Sequence, residues 1–289
     1  MLVHTPVEKY QGIYVKREDK AVNAPTAPPF SKMRGVLAHL TKLRDSGIKT
    51  VGYAESAISM AGWGLAWTAR QLGLHAVIFA PVYKCDHPYL EVLRMHRKHW
   101  ERLGAQIVPM PAGRTKIIYY QGRKWMEDHY PKNSEMLPIG MSFPETVEAT
   151  AAEYVWTLKE YKLQPKNVVL CVGSGTIAAG VARGIAESNL KTNLWGILTR
   201  DGSVPEKLRY MEKLAGFSLS SEGMLGGLCA VRLTLLRAGY EYTQRAKIEA
   251  PFPCNPYYDA KAWEWMVSRK SDYPEFSGGK QTLFWNIGA

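Results

Sequence analysis

Short runs of aliphatic and β-branched residues alternate with longer segments of helical spacing along nearly the whole chain, and this alternation restricts the fold more than any other feature. HAVIFAP at 75–81 and NVVLCV at 167–172 have no polar face, so each reads as a strand covered on both sides. Met33, Val36, Leu37, Leu40 and Leu43 follow helical spacing and stop before Gly47; Trp63, Leu65, Ala66, Ala69 and Leu72 do the same before Gly73. Further helices are predicted near 88–103, 116–129, 144–161, from Ile177, near 204–215, 225–238 and 259–268. KTVGY, AQIVPMP, LWGILT and TLFWNI supply further strands between them. Strands joined by helices of this length predict the α/β class, with mostly parallel sheets wrapped by helices. LPIGMSFP breaks the rhythm before the long helix at 144, which places a domain crossing there. In such sheets ligands bind at the carboxyl ends of strands, so the turns after strands are where chemistry is expected.

Composition removes several classes. With 289 residues, 46% apolar and 22% charged, the chain has material for a buried core and does not read as disordered or collagen-like. Cys85, Cys171, Cys229 and Cys254 are far apart and form no CxxC pair, so neither a zinc site nor a disulfide framework is expected. MLVHTPVEKY lacks the parts of an export signal, and no apolar run reaches the ~18 residues of a membrane span, so a cytoplasmic location without membrane contact is expected.

Four motifs carry chemistry. VGSGT, Val172 to Thr176, follows one strand and opens a helix; its glycines let backbone N–H groups converge beside the positive helix end, an arrangement suited to phosphate. The turn lacks both GxGxxG and the Walker lysine, so it fits neither a dinucleotide fingerprint nor a P-loop. IYVKRED leads through a Pro-rich stretch to Ser31, Lys32, Met33 and Arg34 at a helix start. YAESAISMAGWGLA places Ser59 and Met60 after the KTVGY strand, and CNPYYDAKAW places Tyr258 and Asp259 near a late helix. Taken singly, Lys32 reads as a solvated lysine, and Ser59 and Asp259 read as helix caps.

Taken together, in this order, they resemble the β-family (fold type II) of pyridoxal-phosphate enzymes, and within it the branch of 1-aminocyclopropane-1-carboxylate deaminase and D-cysteine desulfhydrase. HTPVEKY, KRED, SKMRG, the Ser59 turn, LPIGMS, VGSGT, NPYYDAK and FWNIGA spread the resemblance over nearly the whole chain. It implies a tryptophan synthase β-like fold of two three-layer α/β/α domains. Residues 1–35 and 142–289 would form a large cofactor domain and residues 36–141 a small one. The cofactor implied is pyridoxal 5′-phosphate, with Lys32 as its Schiff-base lysine and Gly173, Ser174, Gly175 and Thr176 around the phosphate. Asp259 would face the pyridine nitrogen and keep it protonated, while Tyr258 and Ser59 would handle a proton or the substrate carboxylate. No metal is implied, and a homodimer is expected because relatives are commonly dimers. Met60 stands where the branch has an asparagine, and Asn286 and Ala289 stand where it commonly reads TGG.

Loss of a proton, of carbon dioxide or of a β-substituent at the substrate's α-carbon all remain open. Charge bears on the substrate. The chain carries a formal +11, and residues 84–132 hold ten Lys or Arg against five acids. RMHRKHWER and GRKWMEDHY interleave these cations with His96, His99, Trp100 and Trp125, a composition able to grip phosphates and stack a base, or equally to form solvated helix faces. His96 and His99 read as surface residues rather than a metal pair. Members of the β-family occur among bacteriophage proteins that elaborate thymine in DNA, so an amino-acyl-modified pyrimidine in DNA is one expected substrate, undergoing deamination or decarboxylation. A deaminase or desulfhydrase of a small free amino acid, and a catalytically silent protein that binds the cofactor, are the alternatives.

Overall fold

In the computed structural model, which describes residues 2–111, 113–200, 202–219, 231–276 and 282–289, the chain divides into two compact units. The first comprises 1–23, 29–35 and 144–289, and the second 24–28 and 36–143. Both are α/β, and among the described residues every strand pair but one is parallel.

The strands of the first unit are β1 (Val7–Tyr10), β2 (Ile13–Arg17), β7 (Asn167–Val172), β8 (Asn193–Leu198), β9 (Arg232–Leu236) and β10 (Thr282–Asn286), laid in the order β1-β2-β10-β7-β8-β9. NVVLCV lies in the interior of this sheet and is buried at every position. Its alternate residues serve opposite faces: Val168, Leu170 and Val172 meet α5 (Pro144–Glu160), α6 (Thr176–Ser188) and α7 (Val204–Ala215), while Val169 and Cys171 meet α8 (Asp259–Ser268). Gly180 and Gly184 seat α6 close on α5; a Cβ there would lie 2.5 Å from Thr150 Cβ and 2.8 Å from Tyr154 Cβ.

The second unit has a parallel sheet in the order β5-β4-β3-β6, built from β3 (Thr50–Ala54), β4 (His75–Val82), β5 (Gln106–Pro111) and β6 (Ser134–Met136). Its helices are α2 (Ala61–Leu72), α3 (Leu90–Arg102) and α4 (Thr115–His129), and it also holds most of α1 (Met33–Asp45). Phe79, Val77, Met126 and Ile118 form its core against α4.

The helix expected at 225–238 is corrected in part: Arg232–Leu236 is a strand parallel to β8, and residues 220–230, with Cys229, lie outside the described residues. Val231 and Leu233 point inward and Arg232 outward, the two-residue alternation of a strand. β1 and β6 are additional to the strands expected from the sequence. No helix among the described residues is long and apolar enough to cross a membrane.

Candidate active site

At the carboxyl end of β7 the chain turns through Gly173, Ser174 and Gly175 into α6. Gly175 has φ +98°, in the left-handed region that favours glycine, and a Cβ there would lie 2.8 Å from Met211 Cγ. Ser174 Oγ lies 3.0 Å from Thr176 Oγ1, so two hydroxyls and the N–H groups of a helix start share one turn.

Lys32 reaches the same turn from 142 residues away: its Nζ donates to Ser174 Oγ at 3.0 Å. The backbone before it is stitched to the segment after β10, through Ser31 N to Ile287 O at 2.9 Å, the Phe30–Gly288 bridge, and Ala289 N to Pro29 O at 3.2 Å. Burial pushes the Lys32 amine down to about 8; Cys171 opposes the shift and the Lys207 cation adds to it. A lysine in this state yields an uncharged amine far more readily than a solvated one.

Asp259 opens α8, fully enclosed. Its Oδ1 accepts from Ile287 N at 2.9 Å and from the Cys171 thiol at 3.3 Å. Burial pushes this carboxyl up to about 7, against the hydrogen bonds that favour its charged form. The Tyr258 ring lies beside the glycine turn, since a Cβ on Gly173 would come within 3.8 Å of Tyr258 Cε1; its hydroxyl is 2.7 Å from that of Tyr242. Lys32, Gly173, Ser174, Gly175, Thr176, Tyr258 and Asp259 thus all belong to the first unit.

Three residues here were given no role from the sequence. Lys261 Nζ donates to the carbonyls of Thr199, Glu241 and Tyr242 at 2.8, 2.8 and 3.1 Å, holding the Tyr242 loop beside Tyr258. Lys207 Nζ donates to Gly173 O at 2.7 Å. Asn286, at a departure from TGG, donates to Asp19 Oδ1 at 2.9 Å and Pro253 O at 3.0 Å, while its own Oδ1 and the Oγ of Ser31 are buried without a hydrogen-bond partner. Only the odd placement of Asn286 was visible in the sequence.

Ser59 and Met60 belong to the second unit. Ser59 Oγ accepts from Ala61 N at 3.1 Å, a helix-start bond, and Met60 is buried. The same turn encloses Glu55, whose carboxylate accepts from Ser56 N at 2.7 Å and from Gly62 N; burial pushes this group up to about 8. Glu55 carries no sequence signal beyond standing at the end of a strand.

The surface assignment of the two histidines is corrected for His96. On α3 the spacing of Leu93, His96 and Trp100 puts all three on the inner face, with Trp100 at 0% exposure. Burial pushes His96 down to about 4. His99 is half-buried and stacks on Trp63 at 3.6 Å, and Trp125 is half-buried against His129 at 3.8 Å. The ten cations of 84–132 are all exposed, but Trp100 is not available to stack a base. Among the described residues no three His, Cys, Asp or Glu side chains group as a metal set.

Comparison with known proteins shows the family and the fold. The family profile described as "Pyridoxal-phosphate dependent enzyme" matches residues 4–213. A protein of Pseudomonas phage M6 named glycyl-dTMP PLP-dependent decarboxylase is 36% identical over 99% of this chain and 98% of its own length. Among solved structures, an ACC deaminase homologue superposes with TM-score 0.76 at 18% identity, covering 99% of this chain and 89% of that one. Threonine deaminase isoform 2 of Solanum lycopersicum gives TM-score 0.69 at 16% identity, covering 100% and 80%. The two structures bear on the fold alone.

Proposed function

Because this chain belongs to the pyridoxal-phosphate dependent enzyme family, with pyridoxal 5′-phosphate as its cofactor, we propose that it decarboxylates a glycyl group carried on a thymidine nucleotide. The observation that carries this reading is the match, over nearly the full length of both chains, with the phage decarboxylase named for glycyl-dTMP.

The residues present fit the cofactor. The turn Gly173–Thr176 offers N–H groups, two hydroxyls and a helix start to its phosphate, Lys32 offers a buried amine to its aldehyde, and Asp259 offers a buried carboxyl to its ring nitrogen. The unpartnered Ser31 Oγ and Asn286 Oδ1 are further buried polar atoms in the segments that carry this set. When bound, the pyridoxal ring supplies an electron sink for the pair left on the α-carbon as the carboxylate departs as carbon dioxide.

In this reading Lys32 Nζ would hold the cofactor's aldehyde and, as a free ammonium, would deliver a proton to the α-carbon. An amine lowered to about 8 can do both near neutral pH, because neither protonation state is out of reach. Asp259 would face the ring nitrogen, and the opposite charge of a protonated nitrogen there would draw the carboxyl's pKa down from about 7. The Tyr258 and Tyr242 hydroxyls, joined at 2.7 Å, orient the substrate's polar groups. Ser59, a partly exposed residue at the start of α2, is proposed as a substrate contact.

Incubating the holoenzyme with a glycyl-modified thymidine nucleotide, free or within an oligonucleotide, should release carbon dioxide, and the better of the two forms identifies the physiological one. Lys32→Ala should lower that rate by about 10³-fold or more. Release of a 2-oxo acid from free amino acids, with no carbon dioxide from the nucleotide, would overturn the reading in favour of a small-molecule deaminase.

A further inference from the structure

Lys207 lies on α7, 34 residues from Gly173, and its half-buried side chain runs to the back of the glycine turn. Its Nζ donates to Gly173 O at 2.7 Å and, at longer range, to Ser174 O at 3.4 Å. The stem follows the turn closely: a Cβ on Gly175 would lie 3.6 Å from Lys207 Cδ. Planarity makes these bonds informative. In a trans peptide the carbonyl of one residue and the N–H of the next point in opposite directions. A cation holding the Gly173 carbonyl therefore aims the Ser174 N–H the other way, and one holding the Ser174 carbonyl aims the Gly175 N–H. Those are two of the donors a phosphate at this helix start would use.

We infer that Lys207 is a positioning residue for the cofactor's phosphate: anchored behind the turn, it fixes the direction of two N–H donors and supplies a positive charge close to the dianion. Its work is distinct from that of Lys32, which lies on the hydroxyl side of the same turn through Ser174 Oγ. A lysine kept merely to hold α7 in place would influence the phosphorylated and unphosphorylated cofactor alike. One acting through the turn distinguishes them. The inference rests on the family's cofactor and not on the decarboxylation reading, so the failure of one leaves the other standing.

The test is titration of the full-length protein with pyridoxal phosphate and with pyridoxal, followed by the visible absorbance of the bound form. Lys207→Met should weaken pyridoxal phosphate by about tenfold or more, the scale of a charge-assisted hydrogen bond, and pyridoxal by less than about twofold. Lys207→Arg, which keeps the charge, should restore most of the preference for the phosphorylated form. Equal weakening of both ligands in Lys207→Met, or unchanged binding of pyridoxal phosphate, would overturn the assignment. Should that variant fail to fold, Lys207→Gln keeps a donor without the charge and decides the matter: a reduced preference supports the inference, an unchanged one sinks it.

Discussion

The first unit turns charge inward. Lys16, Glu153, Lys32, Asp259 and Lys261 are all buried there, and each meets a carboxylate, hydroxyl, thiol or backbone group. The second unit does the reverse: the ten cations of 84–132 face solvent, and among its described residues the buried ionisable groups are the Glu55 carboxyl, the His96 imidazole and the Tyr53 phenol. Enclosed charge is costly, and its cost appears as displaced proton affinities at Lys32, Asp259 and Lys261. Exposed charge costs little and is also partly cancelled locally, as where Arg97 and Arg123 pair with Glu101 and Glu127 one turn on. The buried groups with displaced proton affinities thus gather mainly in the first unit, while the second presents a cationic surface from which Trp100 is withdrawn into the core.

Trp100→Ala offers the strongest way to break that contrast. If Trp100 is core, the substitution costs about 3–5 kcal/mol of stability in urea unfolding, with DNA affinity of the surviving folded protein unchanged. A stable variant with weakened DNA binding would return Trp100 to the surface role read from RMHRKHWER.

A second test treats both units alike. Asp259 and Glu55 hold their protons to about 7 and about 8 in the folded state, while the unfolded chain releases them in the ordinary carboxylate range. The stability they contribute is present in full below that range and is lost as pH rises through the folded values, because the folded state then binds more protons than the unfolded one. His96, pushed down to about 4, slopes the opposite way up to its ordinary value near 6.5, so each variant is compared with the wild type rather than with a flat line. Asp259→Asn should remove the decline that ends near pH 7, and Glu55→Gln the part that continues to about 8, measured as unfolding midpoints of the cofactor-free protein at a series of pH values. An unaltered slope in either variant would show that its carboxyl is ionised in the folded state.

The smallest effect expected is at the cationic surface. Neutralising Arg94 or Lys98 should lower the salt slope of DNA binding by about 0.9 for each phosphate that the side chain had neutralised, and Arg97, already paired, should change it less. A slope indifferent to all three would leave the surface as solvated helix faces.

What the sequence revealed follows from the range of each interaction. Helices such as α5 and α8 and the central strand NVVLCV were legible because periodicity is local. β1, at four residues, and β6, at three, are too short to show a period, and the apolar spacing around 225–238 imitated a helix where Arg232–Leu236 is a strand. At the site, Lys32 and the glycine turn were visible as motifs, and the 3.0 Å contact between Lys32 and Ser174 brings the two together. Lys207 was not visible, since within SVPEKL it resembles any lysine on a wet helix and its partner is 34 residues distant. Trp100 and His96 were misplaced because composition counts residues without asking which side of α3 they occupy.

The stitching of Ser31 to Ile287 and of Pro29 to Ala289 has a consequence for biogenesis. The segment before Lys32 is made roughly 250 residues ahead of the backbone that clasps it. The backbone beside Lys32 can therefore gain these partners only once residues 287–289 have been made, so until then a nascent chain lacks the clasp that holds the start of α1 in place.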